Sequence, residues 1–400
     1  MYEKRNEYDF TIETLNSVKS KLDEKLAAKL KSKRVFLAID GFIDSLYSLI
    51  KSRKTAEDYK KFSTIKEFAD RLYTIAGSSG NIELHLKKKT SGGFVPNNGK
   101  ALSSLGVNLF LFGALGIPET KNVFSSLINK SNVDICSIAN PGKTIGLEFS
   151  DGKIMLSDFK GLFEISWDTI QSRIKSDNLI KEIEHSDAIG FGYWSLNSSM
   201  TKIWKKFNKE VFPSLSNLNK KFFFIDLADV KKRSSSDILE MLDVVKNLED
   251  QIPVLMSLND QEAIDISKTI DDVPSIDPKK EKFKGFINAG NDINNKLNLS
   301  YLVIHSPHFA TISLKNNEGH YWITEGYTAH PSFTVSAGDH FLSGVVAGLL
   351  GRLTPQEAIL VGNALTAIFV RIGRSPRFSE LAQFISKYIH YIDQDDPQFP

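Results

Sequence analysis

Short apolar runs alternating with amphipathic helical stretches predict an α/β protein, with a mostly parallel sheet flanked by helices on both faces. Two observations carry this expectation. Val35-Phe36-Leu37-Ala38-Ile39, Ala188–Phe191, Phe222–Ile225, Val254–Met256 and Tyr301–Ile304 are continuous apolar runs, the pattern of strands buried on both sides. The stretches between them carry apolar residues at helical spacing. In such sheets ligands bind beyond the carboxyl ends of the strands. Several runs end there in polar or small residues: Asp40-Gly41, Asp226, Asn259 and His305.

Taken in order, residues 11–32 read as helical, with Ile12, Leu15, Val18, Leu22, Leu26 and Leu30 on one stripe. The first buried strand then ends at Asp40-Gly41-Phe42-Ile43-Asp44, a turn with two carboxylates. A second amphipathic helix is expected within an insertion at 51–80, with Ile65, Phe68, Leu72 and Ile75 on its stripe. Ile82, Leu84 and Leu86 alternate with polar residues, as in a half-exposed strand. A similar piece at 144–156 is broken by Asp151-Gly152 in the manner of a hairpin. These two pieces do not suit a buried sheet and point to a small separate sheet with the character of a lid. Residues 271–300, rich in Asp, Lys and Asn, read as a long loop or insertion.

Composition narrows the function classes. The 400 residues hold 41% hydrophobic and 24% charged residues, near globular averages. Fifty basic against forty-eight acidic residues give +2, no electrostatic footprint for nucleic acid or an anionic membrane. The longest apolar run, Val107 to Ile117, is too short for a bilayer, and Met1 to Phe10 lacks an apolar signal core. Cys136 alone permits no intrachain disulfide. A cytoplasmic protein without nucleic-acid or membrane partners is expected.

Three constellations can carry chemistry. In Ser336-Ala337-Gly338-Asp339, small residues run directly into a helix, exposing backbone N–H groups where the helix dipole is positive. Asp339 there can take a proton from an attacking hydroxyl while those N–H groups hold charge developing on a phosphate. Locally it can equally be an acid that complements the dipole. Gly92-Gly93 leading to Asn97 suits close backbone approach to a ligand and hydrogen bonds to hydroxyls, or an ordinary turn capped by Asn98. Asn259-Asp260-Gln261-Glu262 follows a strand and can reach phosphate or Mg²⁺-bound water, or simply cap a helix. Thr354-Pro355-Gln356-Glu357 reads as a capping box opening a helix that packs beside the one after Asp339.

The order of these pieces resembles the ribokinase/PfkB family of carbohydrate and nucleoside kinases. Gly41 with Asp44, Gly92-Gly93 to Asn97, Asn259 to Glu262 and Ser336 to Asp339 are similar to its four motifs, across residues 33–375. The resemblance implies a ribokinase-like, Rossmann-type core with a small β-sheet lid, preceded by a helical extension at 1–32 and followed by a helix and tail at 376–400. It implies an ATP- and Mg²⁺-dependent phosphotransferase acting on a hydroxyl of a sugar or nucleoside. Residue by residue, Asp339 matches the catalytic base, and Ser336, Ala337 and Gly338 the anion hole. Asp44, Gly93 and Asn97 match substrate positions, Asn259 and Glu262 the phosphate and magnesium-water motif, and Asn363 a position near the adenine. A homodimer through the lid is compatible with it, and the segments 1–32 and 51–80 can reshape the lid or form an oligomer interface. Phe333 stands where the family has an acid, Ser336 where it has its first Gly, and His305-Ser306-Pro307-His308 where a Gly-containing turn is usual. These departures motivate an alternative: a catalytically weak or silent relative that binds a sugar or nucleotide as sensor or scaffold. A dinucleotide-dependent oxidoreductase is disfavoured, because Gly41 stands alone after the first strand.

Overall fold

The computed structural model describes residues 2–276, 284–324, 326, 328, 330–390 and 392. Nine strands form the main sheet: β1 (Arg34–Ile39), β5 (Asn108–Gly113), β6 (Val133–Ser137), β9 (Ala188–Gly192), β10 (Phe222–Asp226), β11 (Val254–Asn259), β12 (Tyr301–His305), β13 (Phe309–Leu314) and β14 (His320–Thr324). Their spatial order is β14-β13-β12-β11-β10-β9-β1-β5-β6. Every neighbouring pair from β6 to β12 is parallel, and β13 and β14 add antiparallel to the edge. The chain therefore reverses direction of travel at β1, which puts the carboxyl ends of β1 and β9 at the switch point where α/β proteins bind ligands. All but the first residue of β1 are buried, as its unbroken apolar run requires.

Two apolar layers cover the sheet. One is built on Phe36, Phe191, Phe223, Trp204 and Met241. The other is built on Leu37, Leu111, Phe341, Val345 and Leu365. Leu15, Val18, Leu26 and Leu30 belong to that second layer, so the residues before β1 are core rather than an appendage to the lid. They form two helices, Tyr2–Lys21 and Glu24–Lys31, because Asp23 interrupts the stripe and caps the second, its Oδ1 accepting the Leu26 N–H at 2.9 Å.

The second sheet holds β2 (Phe42–Arg53), β3 (Tyr59–Lys61), β4 (Glu83–Gly92), β7 (Gly142–Phe149) and β8 (Gly152–Asp158). β2 pairs β7 in parallel and β4 in antiparallel, and β7 and β8 form the expected hairpin. Three expectations need correction. The 51–80 segment is not a helical insertion: β2 continues to Arg53, β3 follows, and only Ile65–Ile75 is helical, capped by Thr64. The 271–300 segment is not one loop, since Lys284–Leu297 is a helix; 277–283 lie outside the described residues. β4 is exposed on both faces from Glu83 to Lys89, because this part of the lid sheet stands clear of the core instead of packing one face on it.

Close helix packing positions the Ser336–Gly338 loop. The Ala337–Leu350 and Pro355–Ile372 helices meet through glycine: a methyl group on Gly344 would lie 2.6 Å from Gly362 Cα, and one on Gly348 2.7 Å from Ala358 Cα. The close contact offsets the roughly 1 kcal/mol of helix propensity that each interior glycine costs.

Candidate active site

Asp40 ends the first strand and is 2% exposed. Its two carboxylate oxygens each accept one N–H, from Phe94 and Val95, both at 3.0 Å, and so cap the Phe94–Ser104 helix. Gly93 makes this possible. It sits at φ +94, and a methyl group there would crowd Phe42 at 2.9 Å and the Asp40 oxygens at 3.1 Å. The helix N-cap is thus Gly93, and Asn98 is not the cap expected from sequence. It lies one turn inside the helix beside Asn97.

Both asparagines face Asp339. Asn97 Nδ2 donates to Asp339 Oδ2 at 3.0 Å and Asn98 Nδ2 to Oδ1 at 3.1 Å. Ser343, one turn after Asp339, donates to Asn98 Oδ1 at 2.7 Å and fixes the amide orientation. The hydroxyl of Tyr193, just beyond β9, donates to both Asp339 oxygens. Asp339 is 3% exposed. Burial, then the negative charges of Asp226 and Asp40, hold its carboxyl well above the usual range, against the pull of Tyr193 and Asn97. Asp40 is likewise pushed up to about 7 by burial, and Asp226 to about 6.

The loop before Asp339 divides two cavities. On the lid side is a cavity of about 470 Å³ whose wall includes Asp44, Thr90, Asn97, Lys100, Ser336 and His340. On the other side lies one of about 260 Å³, walled by Asn259, His305, Ala337, Gly338, Phe341 and Thr366. Among the described residues the Gly338 and Asp339 N–H groups meet no acceptor in the chain, as an anion-binding helix start requires. Ser336 holds the left-handed conformation, φ 75, that its family-type glycine would take without strain. His340 secures it: Nδ1 donates to the Ser336 carbonyl at 2.8 Å, Nε2 accepts from Ser375 Oγ at 2.9 Å, and the ring stacks on Phe369 at 3.7 Å.

The remaining expected residues divide. Asp44 lies on β2 in the lid-side wall, and a methyl group on Gly92 would sit 2.0 Å from its Oδ2, so only glycine admits it. Asn259 and Glu262 form a capping box, each accepting the other's backbone N–H at 2.9 Å, while Asn259 also faces the smaller cavity. Burial and the charge of Asp226 raise the Glu262 carboxyl well above its usual value. Ser336 fronts the lid side and not the cavity that Ala337 and Gly338 face, because its left-handed turn reverses the backbone there. Asn363 does not reach the smaller cavity. It is buried at 1% exposure between helix and sheet, its Nδ2 donating to the Thr324 carbonyl at 3.0 Å, and Thr366, Ala367 and Val370 form the wall one to two turns on. Phe333 packs over Gly373 instead of offering a carboxylate.

Tyr193 and Lys100 were not singled out from sequence, and Asp40 and Asn98 were read only as a turn carboxylate and a helix cap. For Asp40 a signal existed, since it directly ends a buried strand. Tyr193 follows such a strand too, but an aromatic at that place reads as core.

A family model described as prokaryotic ketohexokinase matches residues 11–388. The chain belongs to this family. Membership makes it a carbohydrate kinase. A ketohexokinase of Haloferax volcanii is 28% identical over 372 residues, which cover 92% of this chain and 95% of that protein. The fold is that of solved ribokinases. Arabidopsis thaliana ribokinase complexed with ribose and ATP matches with a TM-score of 0.61 at 13% identity, covering 88% of this chain and 98% of that one. Ribokinase from Cryptococcus neoformans var. grubii in complex with ADP matches with a TM-score of 0.59 at 12% identity, covering 88% and 99%. Among the described residues no helix is long and apolar enough to cross a membrane.

Proposed function

We propose that this prokaryotic ketohexokinase family member transfers the terminal phosphoryl group of ATP to a hydroxyl of a ketohexose, with Asp339 as the base. The observation that carries this reading is the partition: one short loop, Ser336 to Gly338, is shared by two cavities, with a buried carboxylate immediately behind it. The nucleotide occupies the smaller cavity and the sugar the lid-side one. Asp339 accepts the proton of the attacking hydroxyl, and the Gly338 and Asp339 N–H groups stabilise the charge on the transferring phosphoryl. Asp44 and Asn97 hold sugar hydroxyls, and the lid sheet excludes water from them.

The residues present suit a magnesium ion held through water. Burial and then the charge of Asp226 raise the Glu262 carboxyl, and a divalent cation would relieve that repulsion; Mg²⁺ commonly keeps several waters and uses one or two carboxylates. When bound, the ion neutralises charge on the phosphates.

A specific feature favours a second reading, a silent sugar- or nucleotide-binding relative: Asp339 is occupied by three donors and enclosed. Phosphate transfer from ATP to ketohexoses, measured with wild type and Asp339→Asn, separates the two. Loss of at least about a hundredfold in kcat in the variant supports the base. Equal turnover removes Asp339 from that role, and thermal stabilisation by sugar with no turnover in wild type favours the silent relative.

A further inference from the structure

Lys100 stands three residues after Asn97 on the Phe94–Ser104 helix, so both side chains emerge on the same helical face. With Asp44, Thr90 and Asn97 it forms part of the lid-side wall. An ammonium has three N–H donors. One is given to the Ser91 carbonyl at 2.8 Å, and the other two meet no acceptor among the described residues. Asp44 and Asp339 act on it only through space. The other cations of this wall are differently placed: Lys87 and Lys153 pair with Glu148, Arg374 pairs with Glu380, and Lys88 lies on the exposed part of β4, where water already hydrates it.

A partly buried ammonium with two unused donors lacks the hydration it would have in bulk water, and a ligand oxygen restores it. Burial also pulls the Lys100 ammonium down to about 8, which leaves it charged at neutral pH. Across the same cavity burial raises the Asp44 carboxyl, while the Thr144 hydroxyl and the Lys100 charge favour its ionised form, in which it can only accept. A wall with an acceptor beside a cationic donor complements two neighbouring oxygens of a polyol, one donating and one accepting.

We propose that Lys100 is a specificity-determining residue, donating to the acceptor sugar at an oxygen next to the hydroxyl that Asp44 receives. This rests on the lid-side cavity being the sugar site. A site that hydrogen-bonds a substrate oxygen discriminates strongly against the analogue lacking it, because its own polar group is then left without a partner.

The test compares wild type, Lys100→Met and Lys100→Gln on fructose and on fructose analogues each lacking one hydroxyl. In Lys100→Met the sugar KM rises by about tenfold to a hundredfold with kcat changed far less. At the same time the analogue that wild type discriminates against most becomes nearly as good as the parent sugar. Lys100→Gln, which keeps a neutral donor, falls between, and serves if the methionine variant does not fold. An unchanged KM, or a fall in kcat alone, overturns the assignment. So does a loss of thermal stability with discrimination among the analogues intact. Wild type that turns over no sugar at all brings down the sugar-site reading and this inference with it. Active wild type with an indifferent Lys100 brings down only the inference.

Discussion

The Tyr193 hydroxyl lies 2.8 and 2.9 Å from the two carboxylate oxygens of Asp339. It favours the ionised carboxylate, against burial and the charges of Asp226 and Asp40 that disfavour it. In Tyr193→Phe the Asp339 carboxyl therefore rises further. As the proposed base, Asp339 works only when ionised, so the acid limb of kcat/KM moves to higher pH. Turnover at neutral pH falls by about tenfold and recovers on the alkaline side. A pH profile of both enzymes checks this, and an unmoved limb would detach Tyr193 from the control of Asp339.

His340 ties the left-handed Ser336 to Ser375, and burial pulls its imidazole down to about 4 from the ordinary 6.5. The unfolded chain takes up a proton below 6.5 and the folded one only near 4. The neutral ring's contribution to stability is therefore complete above pH 6.5 and declines as pH falls towards 4. His340→Phe is expected to be less stable by about 1–3 kcal/mol at pH 7.5. The gap narrows between pH 6.5 and 4, as read from urea midpoints across that range. The same variant loses kcat, because Ser336 is released beside the transfer loop.

Gly344 offers a packing test. A larger residue must push the Pro355–Ile372 helix away, since backbone atoms stand at 2.6 and 2.8 Å from the added carbon. Gly344→Val is expected to cost about 1–3 kcal/mol, outweighing the smaller gain in helix propensity. Denaturant unfolding measures it. Because the helix of Gly344 begins at Ala337 and carries Asp339, activity falls before stability is exhausted.

Glu357 joins the Tyr2–Lys21 helix to the site's supporting helix. It accepts from Ser17 Oγ and Lys21 Nζ, both at 2.5 Å, and from the Thr354 N–H at 2.9 Å. Burial opposes its charge, but these donors outweigh burial and hold its carboxyl below 4.5. Its contribution is therefore present above about pH 4.5 and lost as pH falls through the lower, folded value. Glu357→Ala should destabilise by about 1–3 kcal/mol at pH 7 and by little near pH 3, checked by thermal melts at both.

The parallel sheet was legible because unbroken apolar runs such as Phe222–Ile225 have few alternatives in a chain of this length. β13 and β14 were not, since Phe309–Leu314 carries Thr and Ser facing inward, where Thr311 and Ser313 are fully buried. The end of β2 was hidden in Lys51-Ser52-Arg53, polar residues on a strand that stands in solvent. At the site, Asp339, Asn97 and Asp44 were findable because small residues announce close backbone approach. Tyr193 and Lys100 were not, because what singles them out is what they meet across the sheet and beneath the lid, and spacing along the chain does not show it. Asn363 stands in the seam between helix and sheet while Thr366, Ala367 and Val370 of the same helix line the smaller cavity, a difference of facing that the sequence alone does not show.

Ser17 and Glu357 are 340 positions apart in the chain. Closing a flexible loop of that size costs about 5 kcal/mol in chain entropy by the (3/2)RT ln n estimate, before any contact is gained. Leu15 and Val18 on the same helix recover it only once the helix pair behind the transfer loop has assembled. The segment ahead of the first strand is thus the latch of this enzyme. It is held from furthest away along the chain, against the helix pair that carries the loop between the two cavities.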